Sequence, residues 1–361
     1  MSNVWGQALK ISIFGESHGE AIGIVIGGLP PGEEIDFSFI EKEMKRRAPG
    51  RGPLATSRSE EDKVEIMSGV FQGKTTGAPF CGLIRNRDAR SGDYTPHLPR
   101  PGHADLTAYL KYHGFADQRG GGHFSGRLTA PLVFAGSIAK TVLRRRGVSV
   151  GAHIRQIGSI YDRPFDPLNE DHSVLEALAG MELPLLDPAV ENEMRAAILE
   201  AKERGDSLGG AIECCCLSLP AGLGSPFFDS MESLIASMMF SIPAVKGVEF
   251  GGGFALAGLS GSQARDELYL ENGRIKTLAN HNGGVNGGIT NGMPLLFAVA
   301  VKPTASIAAE QRTVDLEKMT DALITVGGRH DPCIVPRALP AVEAGAALCL
   351  LDRLLFENKL V

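Results

Sequence analysis

The amino-acid sequence predicts an α+β fold in one domain, in which a few long helices interrupt a chain made mostly of strands. The apolar runs are short and rich in β-branched residues, and the helical segments do not alternate with them regularly. The 45 glycines gather in clusters between these runs, where tight turns or a close approach to a ligand are expected. A doubly wound parallel sheet would need regular alternation and is therefore not favoured.

The strands and helices can be placed from periodicity and from their end signals. Continuous apolar runs predict strands over residues 9–14, 22–26, 211–219 and 294–301. Helical spacing with basic or glycine stops predicts helices over 128–146, 191–204 and 336–356, and Ser38 with Glu41 predicts a capped helix over 39–47. Residues 161–188 are polar, contain prolines and show no periodicity, so we expect a surface excursion there.

Composition excludes several classes of protein. With 43% hydrophobic and 22% charged residues the chain is globular, and no apolar run is long enough to span a membrane. The first residues lack the basic region of a targeting signal, so we expect a cytoplasmic protein. A net charge of −6 argues against a nucleic-acid partner. The six cysteines have neither zinc-ligand nor disulfide spacing, so we expect reduced thiols, no metal, and burial of 214–216 in a strand.

A basic cluster near the N-terminus has two interpretations. Its members are Lys42, Lys45, Arg46, Arg47, Arg51 and Arg58. They could form a solvated helix face balanced by Glu41 and Glu43, or they could line an anion pocket.

The segment Gly15-Glu16-Ser17-His18-Gly19 matches the G-x-S-x-G motif of hydrolases, in which serine is the nucleophile. That motif needs a strand, a turn and then a helix, whereas residues 20–28 are β-branched and interrupted by glycine. A hydrolase is therefore only a minor alternative, and His18 is the better catalytic candidate. Residues 69–75 resemble a phosphate-binding P-loop that is one residue too short, so they predict a hairpin turn.

Three further segments combine glycine, histidine and a cation: 100–105, 120–127 and 327–333. Each joins a backbone that can approach a ligand with a group that titrates near neutrality. The remaining histidines lack such surroundings and are expected to be structural; these are His97, His113, His153 and His172. Residues 302–306, which follow a predicted strand, form either a phosphate grip or a simple turn. Together the segments indicate an enzyme that acts on a small phosphorylated carboxylic acid.

In this order, the segments resemble the chorismate synthase family over nearly the whole chain. The matching residues are 15–19, 28–32, 46–47, 88–94, 100–105, 120–127, 205–207, 220–224, 245–249, 302–306 and 328–333. The resemblance implies one domain over 1–361 with helices sandwiched between antiparallel sheets, assembled as a homotetramer. It also implies a lyase that removes phosphate from 5-enolpyruvylshikimate 3-phosphate by anti-1,4-elimination to give chorismate, the last step of the shikimate pathway. Reduced FMN would be required without net redox change.

The same resemblance implies a role for each matching residue. His18 would be a general acid toward the leaving phosphate, His103 would protonate or stabilise the reduced flavin, and Asp331 would assist proton removal. Ser17 and Ser125 would support Asp331 through hydrogen bonds. Substrate anions would be bound by Arg47, Arg51, Arg127 and Arg329. FMN would be bound by His123, Phe124, Ser125, Gly287, Lys302, Pro303, Thr304, Ala305, Ser306 and Arg329.

The sequence departs from the family pattern in three places. His123-Phe124 replaces a usual Arg-Ser, Pro53 stands where an arginine is usual, and Pro243 replaces the asparagine of an Asn-Ala pair. Arg51 could replace the arginine that is missing at Pro53. Because longer family members reduce their own flavin, this short chain is expected to rely on an external reductant, with NADPH only its indirect source. A flavin-dependent oxidoreductase and a non-catalytic anion-binding relative are the alternatives.

Overall fold

The structure of the protein is a computed structural model. It describes residues 3–48, 54, 60–87, 95, 97–327 and 330–360. The strands are β1 (Val4–Trp5), β2 (Lys10–Gly15), β3 (Ala21–Gly27), β4 (Val64–Ser68), β5 (Val70–Phe71), β6 (Lys74–Thr75), β7 (Phe80–Arg85), β8 (Ser149–Ile157), β9 (Ile160–Tyr161), β10 (Gly210–Leu217), β11 (Val245–Phe250), β12 (Leu268–Glu271), β13 (Arg274–Thr277), β14 (Val285–Asn286), β15 (Ile289–Thr290), β16 (Leu295–Val301), β17 (Gln311–Asp315) and β18 (Thr320–Ile324). The helices are α1 (Phe37–Arg47), α2 (Asp105–Tyr112), α3 (Thr129–Arg144), α4 (His172–Leu178), α5 (Glu191–Glu203), α6 (Met231–Ser241) and α7 (Val335–Phe356).

Two five-stranded antiparallel sheets enclose a layer of helices. The first sheet has the order β1-β2-β3-β7-β4 and the second the order β11-β16-β10-β8-β9. Helix α3 packs against β3 and β7 of the first sheet and against β8 of the second, while α7 packs against β8 and β10. The predicted α+β fold with helices between antiparallel sheets is confirmed.

Helices α3 and α7 form the centre of this layer and are buried on nearly every side. Helix α3 is buried from Thr129 to Leu143, as expected for a helix surrounded by protein. The two helices cross very closely at Gly136, where an added β-carbon would lie 2.2 Å from Cβ of Ala344. Among the described residues, no helix combines the length and apolarity that crossing a bilayer demands.

Four charged side chains are buried between α1, α3 and α7. Glu343 accepts hydrogen bonds from Arg46 (2.7 Å) and Lys140 (2.6 Å), and Lys140 also donates to Glu43 (2.7 Å). Burial would raise the pKa of Glu343, but Arg46 and Lys140 outweigh it and lower that pKa to about 2. Arg46 therefore lies in a buried ionic network within the helix layer and not on a solvated helix face.

The start of α1 differs from the prediction. The N-cap is Asp36, whose carboxylate accepts a hydrogen bond from the Phe39 N–H (2.9 Å), and Ser38 donates its hydroxyl proton to Asp36 (2.7 Å). Glu41 is paired with Lys45 on the exposed face. The predicted Ser38 cap is thus wrong by two residues, because the carboxylate of Asp36 is the stronger acceptor and already occupies the helix end.

Strand β10 contributes side chains to both faces of the second sheet. Cys214 and Cys216 enter the main core, whereas Cys215 and Leu217 pack with α4 on the opposite face. Burial raises the pKa of the Cys214 and Cys215 thiols well above its ordinary value. The predicted burial of the cysteine triplet in a strand is confirmed.

Part of the segment 161–188 covers the face of the second sheet that carries Cys215, since Phe165, Leu175 and Leu178 are buried there.

His153 lies buried on the same face between two carboxylates. Its Nδ1 is 2.9 Å from Asp162 and its Nε2 is 2.8 Å from Glu213, while the edge of its ring meets Phe165. Burial disfavours the imidazolium, but the bonds to Asp162 and Glu213 outweigh burial and raise the pKa of His153.

This arrangement should make stability depend on pH above the ordinary pKa of histidine. The folded-state pKa of His153 is raised above 6.5, so the stabilisation is complete below that pH and is lost as pH rises through the folded-state value. We expect the midpoint of thermal unfolding to fall over this range, and to fall less in His153→Gln, which has no titrating ring. Thermal melts across about pH 6 to 9 measure the difference. Equal slopes in both proteins would contradict this role for His153.

Candidate active site

His18 lies in the turn between β2 and β3, so the motif has a strand on each side. Hydrogen bonds to other segments fix this turn. The Ser17 N–H donates to the Gly122 carbonyl (3.2 Å), and Asn86 Nδ2 donates to the carbonyls of Glu16 (3.0 Å) and Gly19 (2.9 Å). The strand-turn-helix context of a hydrolase nucleophile is therefore absent here, as the sequence predicted.

The glycine triplet 120–122 lies against both His18 and His103. All three glycines have positive φ angles, of 61°, 88° and 52°. A β-carbon placed on Gly120 would lie 2.4 Å from Nε2 of His18, and one placed on Gly121 would lie 3.2 Å from Nε2 of His103. The Nε2 edges of both histidines thus face consecutive glycines, and only a residue without a side chain allows His18 to come so close.

Ser17 and Asp117 border the same segment. The Ser17 hydroxyl, which is buried, donates to the Arg119 carbonyl (3.2 Å). Asp117 accepts two hydrogen bonds from the Arg119 side chain (2.9 and 2.8 Å), and this contact is the main reason that the pKa of Asp117 is lowered. The charge of His18 acts in the same direction. The His18 side of the site thus contains a carboxylate that is kept ionised.

His103 is part of a tight cluster with Arg100 and Asp105. Its Nδ1 lies 2.6 Å from Oδ1 of Asp105, and Arg100 donates to both carboxylate oxygens, with distances of 2.7 and 2.8 Å. Burial opposes ionisation of Asp105, but the bonds from Arg100 and His103 outweigh it and hold the pKa of Asp105 well below its ordinary value. His103 therefore contacts a carboxylate that is ionised at neutral pH.

Residues 302–306 follow β16 and lie against the His103 loop. Lys302 Nζ donates to the Gly102 carbonyl, and Arg100 Nη1 donates to the Ser306 hydroxyl (3.0 Å). The Oγ1 atom of Thr304 is buried, and no described residue gives it a hydrogen-bond partner. Because a buried hydroxyl without a partner is costly, this oxygen is a natural contact for a bound ligand.

The other expected cofactor residues occupy two places. Ser125 accepts a hydrogen bond from the Arg127 N–H (3.2 Å), His123 Nδ1 lies 3.3 Å from the Gly15 carbonyl, and the ring of Phe124 is 36% exposed. These three residues adjoin the His18 turn. Gly287, in contrast, lies in the exposed turn between β14 and β15.

Gly287 is separated from Lys302 by the length of β16. The β14–β15 hairpin precedes that strand, with Gly284 packed against Pro294, whereas Lys302 follows its far end. Seven strand residues span about 23 Å. Within one chain, the structure does not bring Gly287 to residues 302–306.

The Arg47 side chain is buried, and its guanidinium donates hydrogen bonds to three residues. It donates to Asp62 (2.7 Å), to the Thr129 hydroxyl (3.1 Å) and to the Gly126 carbonyl (2.9 Å). Burial lowers the pKa of Arg47 to about 10, against the opposing effect of Asp62. Its guanidinium is therefore fixed beside residue 126, immediately after the expected cofactor residues.

Arg127 meets the same carboxylate from the other side. It donates to Asp62, pairs with Glu60 (2.5 Å) and donates through Nε to Asn86 (3.0 Å). Since Asn86 also holds the His18 turn, a chain of hydrogen bonds joins Arg127 to that turn. The two expected substrate-binding arginines are thus brought together, with acidic partners from the same chain.

Asp331 lies beside this arginine cluster. It accepts a hydrogen bond from Arg337, whose Nε donates to the Arg47 carbonyl (3.3 Å). The next carbonyl, of Pro332, accepts from the Leu208 N–H (2.7 Å). Arg51 and Arg329, expected to bind substrate or cofactor, lie outside the described residues, as do residues 88–94.

The family departure at Pro243 is next to the expected cofactor segment. The Lys302 N–H donates to the carbonyl of Ala244 (2.9 Å), which has a positive φ of 74°.

Of the histidines expected to be structural, His172 bridges the hydroxyls of Ser149 (2.7 Å) and Ser218 (3.1 Å).

The sequence did not assign roles to several residues that organise this site. Asp105 follows His103 by two residues at the start of a helix, and that spacing could have indicated a carboxylate partner. Asp62, Glu60 and Asn86 gave no such signal, since each meets its partner only through the fold.

Comparison with known proteins gives a consistent result. A family model described as chorismate synthase matches residues 9–355. Chorismate synthase of Aeropyrum pernix is 48% identical over 99% of this chain and 93% of its own, and that of Thermococcus kodakarensis is 46% identical over 97% of each. A crystal structure of chorismate synthase is similar with a TM-score of 0.77 and 32% identity, over 98% of this chain and 93% of that one.

Proposed function

The chain belongs to the chorismate synthase family, and from that premise we propose that it converts 5-enolpyruvylshikimate 3-phosphate to chorismate and phosphate. Family membership makes it a lyase. The observation that most supports the specific reaction is that His18 and His103 lie against the consecutive glycines Gly120 and Gly121, which brings both imidazole rings into one site. An elimination of this kind breaks one C–O bond and one C–H bond, so it must supply a proton or a cation to the phosphate and accept a proton from carbon.

We assign the acid role to His18. A departing phosphate gains negative charge, and protonation by a positioned imidazole lowers the cost of that charge. The Nε2 edge of His18 lies against Gly120, whose lack of a side chain leaves room for the imidazole in this position. In this proposal Ser17 and Ser125 support proton removal by Asp331.

Residues 302–306 fit a phosphate-bearing cofactor, which we propose to be reduced FMN. Lys302 offers a cation, Thr304 a buried hydroxyl without a partner, and Phe124 an exposed aromatic ring. Reduced flavin held by these residues would supply reversible electron transfer, without net redox change. His103 would hold or provide a proton at Nε2 beside that cofactor.

The substrate anions need fixed cations. We propose that Arg47 and Arg127 orient the phosphate and carboxylates, together with Arg51 and Arg329. Asp62 and Glu60 keep the first two guanidinium groups rigid, and rigid donors lose little entropy when they bind an anion.

We further propose a cytoplasmic homotetramer that receives reduced flavin from a separate reductase, with NADPH as its indirect source. An exposed apolar face of the β12–β13 hairpin supports self-association, since Leu268, Leu270 and Ile275 are 72%, 75% and 69% exposed. Light scattering after size exclusion tests the tetramer.

The reaction can be tested with purified protein, 5-enolpyruvylshikimate 3-phosphate and reduced FMN under anaerobic conditions. We expect release of phosphate together with the absorbance of chorismate, and no turnover with oxidised FMN. Absence of phosphate under conditions that sustain another member of the family would contradict the proposed function.

A further inference from the structure

The position of the proton on the His103 ring follows from its contacts. Nδ1 of His103 lies 2.6 Å from Oδ1 of Asp105. Two acceptor atoms without a proton between them repel at that distance, so one of the two must carry a proton. The pKa of Asp105 is held well below its ordinary value, which leaves Nδ1 as the protonated atom.

Arg100 leads to the same assignment. Its Nη2 lies 3.1 Å from Nδ1 of His103 and 2.8 Å from Oδ1 of Asp105. The shorter contact is to the anionic oxygen, which is the stronger acceptor. Arg100 therefore serves the carboxylate, and Nδ1 of His103 is left to donate to the same carboxylate.

We propose that Asp105, held by Arg100, is a positioning residue that keeps the proton of neutral His103 on Nδ1 and leaves Nε2 as the atom that exchanges protons. The inference rests on the proposed function, because that exchange belongs to the proposed reaction. The Nε2 edge of the ring lies beside Gly121, and 20% of the His103 side chain is exposed.

The cluster also connects His103 with the expected cofactor segment. Arg100 donates through Nη1 to Ser306, and Ser306 is buried. Through Arg100, the carboxylate that orients His103 is fixed relative to residues 302–306. The ring and the cofactor segment are thus held in one rigid unit.

The first test reads the tautomer directly, in protein without cofactor. Protein labelled with ¹⁵N in histidine rings gives long-range ¹H–¹⁵N correlations that distinguish the two neutral tautomers, and His103→Gln identifies the signal. We expect the Nδ1–H form for neutral His103 in the native chain, and the Nε2–H form to appear in Asp105→Asn. The amide of that variant can donate to Nδ1. An Nε2–H signal in the native chain would overturn the proposal, even when the variant does not fold.

The second test is kinetic. A wrong tautomer of a histidine with a carboxylate partner costs about 10⁴-fold in serine proteases, and lost support of an aligned group costs about 10- to 100-fold. We expect kcat of Asp105→Asn to fall by about 10²-fold or more with KM within about threefold, and Asp105→Glu to recover part of the loss. Unchanged kcat in a folded variant would overturn the proposal.

Glu33→Gln is the matched control. Glu33 is as buried as Asp105, with 12% and 13% of the side chain exposed, and it also pairs with an arginine, Arg146 (2.6 Å). It lies at the opposite end of α3 from Arg127, so we expect kcat and the His103 tautomer to be unchanged. If the native protein releases no phosphate, the proposed function fails, while the tautomer measurement still decides the role of Asp105.

Discussion

Replacing Gly120 by alanine should reduce turnover by about 10²-fold or more while the protein stays folded. The new methyl carbon would lie 2.4 Å from both Cδ2 and Nε2 of His18 and 2.8 Å from the Ser17 hydroxyl, so the imidazole must move. A displacement of about 1 Å in a catalytic group can cost about 10²-fold in rate. Anaerobic assay of phosphate release measures the effect.

The control for this variant is Gly73→Ala. Gly73 also has a positive φ, of 75° against 61° for Gly120, but an added β-carbon there would meet no atom within 4 Å. Both variants carry a similar backbone strain of about 1–2 kcal/mol, and only Gly120→Ala adds the close contacts with His18 and Ser17. Only Gly120→Ala should lose activity. Native turnover in Gly120→Ala would mean that the contact with His18 does not matter for the reaction.

Replacing His18 by alanine should slow phosphate release by about 10²- to 10⁴-fold, which is the usual contribution of a general acid. The expected cofactor segment 302–306 contacts the His103 loop, so FMN binding should remain nearly intact. Stopped-flow measurement of phosphate, together with an FMN titration followed by fluorescence, separates chemistry from binding.

His172→Ala is the control for loss of an imidazole. His172 is bonded to Ser149 and Ser218 at the start of α4, and we expect its replacement to leave phosphate release unchanged. Loss of FMN binding in His18→Ala, with native phosphate release at saturating FMN, would show that His18 is a cofactor residue.

Local patterns were sufficient to predict four of the helices and four of the strands, whereas the arrangement of helices between two sheets was implied only by the family resemblance. The helix predicted over 128–146 is observed as Thr129–Arg144, and the strand predicted over 294–301 as Leu295–Val301, because apolar period and end signals act over a few residues. The absence of a helix after His18 was also predictable, since residues 20–28 are β-branched and contain glycines. The error at Ser38 arose because two potential caps lie within three residues.

The site was predictable only as separate segments. Glycine, histidine and a cation marked the segments around His103 and Gly120. No local pattern shows that Gly120 lies against His18 and Gly121 against His103. The partners of Arg47 and Arg127 were hidden for the same reason. Asp62 is buried between both arginines only after the strand β4 and the turn before α3 have come together.

We propose above that this chain is a lyase that uses reduced flavin without consuming it. The most direct measurement counts phosphate, chorismate and reduced FMN after many anaerobic turnovers of 5-enolpyruvylshikimate 3-phosphate. We expect equal amounts of phosphate and chorismate, both in large excess over enzyme, with the reduced flavin unchanged. Oxidation of one reduced flavin for each product formed, or no phosphate at all, would contradict the claim.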